Sequence, residues 1–360
     1  MLVLFFILKA VIILAIFSII IIVHELGHFI AAKRLGVKVE RFALGFGKKI
    51  FGVKKGETEY AINLIPLGGY VKLAGEDPYE RKGAPYEFYS KPISSRLGIL
   101  LLGPLSNYLF AYLLLVILYT MGIPSVTSHI GMVLESAPAY KAGIKTGDKI
   151  ISIDEKPVGF WDEVLSIIRS DKDARALNIK VERNNVFLCF LVKPEIITTE
   201  NIFKQKVTFI GIGIGPSENI VMLKSNPVKS LYLASRHVWF FTVTTYKGIW
   251  FLVTGAMPIK DNIGGPIRII DALGKAINAG PVETIHFLAI INLALAIFNL
   301  LPFPILDGGH ILFLGIEKLR GKPLSVKTQE IITQTALVLL IAFFLYVSYY
   351  DVRVVTNLKK

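Results

Sequence analysis

His24, Glu25 and His28 lie together in HELGH, near the end of an otherwise apolar run, VIILAIFSIIIIVHELGHFIAAKR. The two histidines are four positions apart, so on a helix they share one face, one turn apart. Two imidazoles so placed can grip one zinc ion. Glu25 stands beside them, placed to act on a water rather than on the metal. Ionisable groups inside a membrane span cost about 3 kcal/mol each on insertion scales, so their presence argues for chemistry.

A hydrolytic zinc site takes three protein ligands and leaves one position open. A third ligand must come from the same depth in the membrane. Asp307, in FNLLPFPILDGGH, sits at the cytoplasmic end of a later apolar run, as HELGH does in the first. Asp307 is the first candidate and His310, three residues on, is the second. Asn299 lies in the same run and needs polar partners there. It can hold a substrate carbonyl or tie two helices together. Pro302 and Pro304 interrupt the helix, which membranes tolerate where the chain lines a cavity.

These residues need a membrane scaffold. Of the 360 residues, 53% are hydrophobic, well above a soluble domain. Four runs reach spanning length: 1–30, 97–121, 284–306 and 331–350. The first exceeds a signal-peptide core and has no basic leader, so it reads as retained. The net charge of +13 would suit nucleic acid. The cations flank apolar runs, however, as the positive-inside rule describes, and no nucleic-acid partner is expected. Clusters such as Lys33, Arg34, Lys48 and Lys49, and later Lys318 and Arg320, put those short loops in the cytoplasm. Both termini and the long segment between spans two and three then lie outside. Cys189 is the sole cysteine, which rules out an internal disulfide.

The loop 31–96 alternates apolar and polar residues around glycines and predicts two to four short strands, with a hairpin near KKGE. Gly45, Phe46 and Gly47 belong either to a stabilising hairpin or to a functional strand edge. The outer segment reads as soluble α+β, with a hairpin turning at Asn184-Asn185. Residues 226–257 predict an aromatic amphipathic helix at the membrane interface.

HELGH, GFG followed by IPLGGYVKL, GPLSN, GGP and NLLPFPILDGGH occur in order along nearly the whole chain. Together they resemble the site-2 protease family of intramembrane zinc metalloproteases, and within it the bacterial sigma-E regulator branch. The resemblance implies Zn²⁺ held by His24, His28 and Asp307, with Glu25 as catalytic acid and base. It implies substrate positioning by Asn299, extended substrate at Gly45, Phe46 and Gly47, and a polar Asn107 close to the active site. IGMVLESAPAYKAGIKTGDKIISIDEKPV is similar to a circularly permuted PDZ domain, spanning 127–197.

The expected architecture is an α-helical polytopic membrane protein with four transmembrane helices. It carries a membrane-associated β-hairpin region and one extracytoplasmic α+β PDZ domain. The expected activity is cleavage of single-span membrane proteins, of anti-sigma-factor or remnant signal-peptide type. The expected setting is the bacterial inner membrane, in contact with lipid, with the active site near the cytoplasmic face. A peptide-binding membrane scaffold and a metal or proton transporter are the rival readings; neither needs both a third ligand and a strand-rich loop.

Overall fold

The computed structural model describes residues 2–170, 175–200, 206–256 and 264–355. The chain divides into two units, Met1–Leu118 with Pro227–Lys360, and Tyr119–Asn226. Among the described residues, four helices are long and apolar enough to cross a membrane: Leu8–Arg34, Ile93–Met121, Pro281–Asn299 and Val326–Val352.

In the first unit, helix α1 (Leu2–Arg34) is apolar along most of its length, apart from Lys9, the HELGH residues and the basic last turn, as suits a helix that can cross a membrane. Lys33 and Arg34 in its last turn oppose the negative end of the helix dipole. Gly36, at φ 68°, turns the chain, and the Val37 amide donates back to the Ala32 carbonyl at 2.8 Å. Strands β1 (Val39–Lys55) and β2 (Thr58–Leu73) follow, joined through Gly56. Where alternation suggests several short strands, two long ones bend instead. Gly45 and Gly47 bend β1, and Gly68 bends β2, each at positive φ. The bent ribbon pairs Phe42 with both Tyr60 and Val71. The stretch Gly69–Leu73 is left with a strand on one side only, among the described residues.

Helix α2 (Ile93–Met121) packs tightly on α1. A Cβ at Gly27 would lie 2.1 Å from the Leu102 carbonyl oxygen, so only glycine allows this approach. The Ser106 hydroxyl donates to the Val23 carbonyl at 2.6 Å. Small residues at such crossings bring backbones together, which is how helices associate in lipid.

The second unit carries its own core. Strands β3 (Ile123–Val126) and β4 (Ile130–Val133) lead to a short helix, α3 (Pro138–Lys141). Strands β5 (Lys149–Ile153) and β6 (Lys156–Pro157) precede α4 (Trp161–Ser170). With β7 (Leu177–Arg183) and β8 (Val186–Val192) they build a four-stranded sheet of order β6-β5-β7-β8. Asn184 and Asn185, at φ 51° and 62°, make the turn between β7 and β8. Ile150, Ile179 and Val181 from the sheet bury against Trp161 and Val164 of α4. Buried Asp148 accepts two bonds from the Arg183 guanidinium, at 2.6 and 2.8 Å.

Back in the first unit, α5 (Pro227–Val253) rests Val238, Phe241 and Ile249 on a buried cluster of Ala111, Leu293 and Ile297. Helix α6 (Pro266–Ala279) packs Leu273 against Ile16 and Ile20 of α1. Helix α7 (Pro281–Asn299) stops seven residues short of the run's end at 306. Pro302 and Pro304 offer no amide hydrogens, so the chain leaves the helix and restarts as α8 (Asp307–Arg320). The last helix, α9 (Val326–Val355), sends buried Asp351 to the start of α6. There its carboxylate accepts the amides of Gly265 and Arg268, each at 3.1 Å.

Candidate metal centre

The helical spacing in α1 sets His24 above His28 with Nε2 atoms 3.2 Å apart. The α7–α8 turn supplies the third group. Gly308 and Gly309 let the first turn of α8 fold onto residues 301–304. A Cβ at Gly308 would lie 2.2 Å from the Leu301 carbonyl oxygen, and one at Gly309 2.2 Å from that of Phe303. Asp307 is thereby delivered to the histidines. Its Oδ2 lies 3.2 Å from His24 Nε2 and its Oδ1 3.4 Å from His28 Nε2.

Those distances suit a metal better than a hydrogen-bonded cluster. Tetrahedral zinc with bonds of about 2.0–2.1 Å spaces its ligand atoms about 3.3 Å apart. His28 Nδ1 stands 2.8 Å from the Ile99 carbonyl oxygen. That oxygen can only accept, so Nδ1 carries the hydrogen and Nε2 presents its lone pair to the cluster. Asp307 Oδ2 is buried without a hydrogen-bond partner among the described residues. Among those residues, this is the one group of three or more such donors gathered for a metal ion. The donor set fits zinc.

Gly103 of α2 closes the site behind His28; a Cβ there would fall 2.2 Å from His28 Nε2. Glu25 lies against the β2 backbone, and a Cβ at Gly69 would come 3.7 Å from its Cγ. A cavity of about 420 Å³ opens in front. Its wall includes His24, Glu25, His28, Asn299 and Asp307, together with Tyr70 and Val71 of β2. His310 also lines it but stands outside the three-donor cluster, with its ring 6.1 Å from that of Phe313.

Gly45, Phe46, Gly47 and Asn107 do not reach the cavity wall. Phe46 acts from behind, stacking at 6.1 Å on Tyr70, which does. Asn107 is buried in α2 with neither amide atom bonded among the described residues. The GPLSN motif instead contributes Gly103 under His28 and Ser106 on α1. Sequence reasoning also missed Arg96 of α2, which is buried and grips Glu317 of α8 through both carboxylate oxygens, one at 3.0 Å. Tyr89, on the cavity wall, lies between the Arg81 guanidinium at 3.4 Å and that of Arg96 at 5.4 Å. Burial pushes its phenol up despite those two cations, so it stays protonated. For Gly103 and Ser106 the available signal was the presence of small residues on an apolar helix, where helices cross closely.

The sequence pattern of Peptidase family M50 matches residues 12–343. A Clostridium acetobutylicum protein bearing a zinc-metalloprotease name is 32% identical over 93% of this chain and 95% of its own length. The regulator of sigma-W protease RasP of Bacillus subtilis is 28% identical over 94% of this chain and 96% of its own. The zinc metalloprotease RasP of Geobacillus kaustophilus is 29% identical over 94% and 96%. A match that begins within α1 and ends within α9 takes in both helices that carry the donor atoms, and it makes this chain a zinc metalloprotease of peptidase family M50, the site-2 protease family.

Proposed function

We propose that this protease cuts transmembrane segments of single-span membrane proteins at the cluster of His24, His28 and Asp307. The observation that carries the reading is a three-donor set, two of its members and the neighbouring carboxylate on a helix long and apolar enough to cross a membrane, which shares its cavity with a strand edge left unpaired among the described residues. Soluble peptides do not require such a location.

Zinc bound by the three residues supplies an acidified water and a Lewis acid for the scissile carbonyl. Glu25 takes the proton of the attacking water and returns it to the leaving amine. Asn299 donates its amide to the carbonyl oxygen as negative charge develops there. A transmembrane helix hides its peptide bonds in its own hydrogen bonds and must unwind locally before it can be cut. The edge at Gly69–Leu73 accepts the unwound segment as an added strand and holds it extended along the cavity. The GFG turn supports that edge from behind.

A relative is named for regulating sigma-W, which favours membrane-bound anti-sigma factors as substrates, alongside remnant signal peptides. Residues 127–197, inside the unit Tyr119–Asn226, are read as the PDZ domain, outside the bacterial inner membrane, where it turns away proteins with bulky outer domains. The active site then faces the cytoplasm, beside the basic loops. The test is reconstitution in lipid vesicles with a single-span substrate, cut sites being mapped by mass spectrometry. Cuts within the apolar segment, absent with Glu25→Gln, are expected. Cuts confined to the flanking loops, or undiminished in Glu25→Gln, would overturn the reading.

A further inference from the structure

The open edge of β2 is not bare. The Ala74 amide, just past the strand, donates to the Lys38 carbonyl on the β1 side at 2.9 Å. Amides alternate in direction along a strand, so those of Val71 and Leu73 face the open edge. The Leu73 amide donates to Glu76 Oε2 at 3.3 Å. The Val71 backbone likewise hydrogen-bonds to the Glu25 carboxylate. Two carboxylates thus stand where the carbonyls of an added strand belong.

Glu25 has its part in the chemistry, whereas Glu76 has none so far. Glu76 follows β2 and is exposed to the same cavity as the metal donors. Among the described residues no lysine or arginine pairs with it. Lys72 is held by Glu40 and Glu80, and Arg96 by Glu317.

The edge also has a direction. A Cβ at Gly69 would lie 3.5 Å from Ile21 and 3.7 Å from Glu25, within the apolar part of α1. Leu73 packs instead with Ala31 and Ala32, near the end of α1, and with Val37 beyond it. Glu76 therefore stands at the end of the edge nearest the basic loop, the cytoplasmic end by its charges.

A strand added along Gly69–Leu73 takes the Leu73 amide with its own carbonyl and releases the Glu76 carboxylate. A charge in a cavity is costly to leave without a partner. Membrane proteins carry lysine and arginine in the short cytoplasmic stretches that flank their apolar segments. We propose that Glu76 is a specificity residue that binds a substrate lysine or arginine on the cytoplasmic flank of the segment to be cut. This role rests on the proteolysis reading and deepens it.

Full-length protein is reconstituted in lipid vesicles with single-span substrates that differ only in carrying Lys or Gln next to the apolar segment on its cytoplasmic side. The parent is expected to cut the Lys form with about tenfold lower KM and a similar kcat, as suits one hydrogen-bonded charge pair. Glu76→Gln keeps an acceptor for the Leu73 amide and should lose the preference. Glu76→Lys should favour a substrate with Glu at that flank. Zinc content equal to the parent's certifies the fold of each variant. A parent indifferent to the flank, or Glu76→Gln with the parent's preference, would overturn the role. Binding of the same substrates to Glu25→Gln in nanodiscs, read by fluorescence anisotropy, separates the two levels. Selective binding without cleavage by the parent would reject proteolysis alone. Cleavage by the parent without selectivity would reject the role of Glu76 alone.

Discussion

Gly103 of α2 lies against the imidazole of His28 on α1: a methyl group at 103 would stand 2.2 Å from Nε2. The same ring is held from its other side by the Ile99 carbonyl, one turn earlier on α2. Helix α2 thus fixes both the position and the tautomer of His28 without supplying a ligand.

Gly103→Ala is accordingly expected to dislodge His28. Groups that orient a ligand change metal affinity by about 10–100-fold, and a clash with the ligand atom belongs at the upper end. Zinc affinity measured by competition with a chelator checks this. An unchanged affinity would mean that α2 does not position the ring.

Asn299→Ala should leave zinc bound and lower kcat by about 10²–10³-fold, the usual loss when one donor to a developing oxyanion is removed. Single-turnover cleavage of a reconstituted substrate, with metal content measured in parallel, separates this from a structural role. If Asn299 only ties helices together, the variant loses thermal stability and zinc along with rate.

Phe46→Ala removes the ring that stacks on Tyr70 behind the strand edge. Stacked aromatic pairs contribute about 0.5–1.5 kcal/mol, so KM should rise by up to about tenfold. Zinc content and kcat should change little. An effect on kcat alone would place Phe46 in the chemistry rather than in substrate docking.

Arg96→Ala leaves the half-buried Glu317 without its guanidinium partner between α2 and α8. Breaking such a pair costs about 3–5 kcal/mol, whereas replacing both members by apolar residues is often neutral. The double variant Arg96→Met with Glu317→Leu should therefore recover most of the thermal stability that Arg96→Ala loses. Equal losses in both would show that the pair adds stability in its own right.

HELGH, the apolar runs and the proline break after Asn299 were legible because each follows from periodicity or from one residue's covalent limits. Asp307 was legible as a candidate through depth, since span polarity puts it level with HELGH, and its preference over His310 came from the family resemblance. Helix α6 went unread although Ile267, Ile270, Leu273 and Ile277 repeat at helical spacing. Its short amphipathic pattern was overshadowed by the longer run of α7. The bends at Gly45, Gly47 and Gly68 looked like strand ends because glycine signals a break and a bend alike. Gly27 and Gly103 could not be read from α1 or α2 separately. What demands a glycine there is an atom on the other helix, and such contacts leave no periodic trace.

The account stands most directly on Asp307 as the ligand that joins the α7–α8 turn to α1. Hydrolysis of a reconstituted transmembrane substrate by Asp307→Ala, with zinc counted on the same sample, tests it. Cleavage should vanish and one zinc per chain should be lost relative to the parent. Cleavage at the parent rate with the full zinc complement would contradict it.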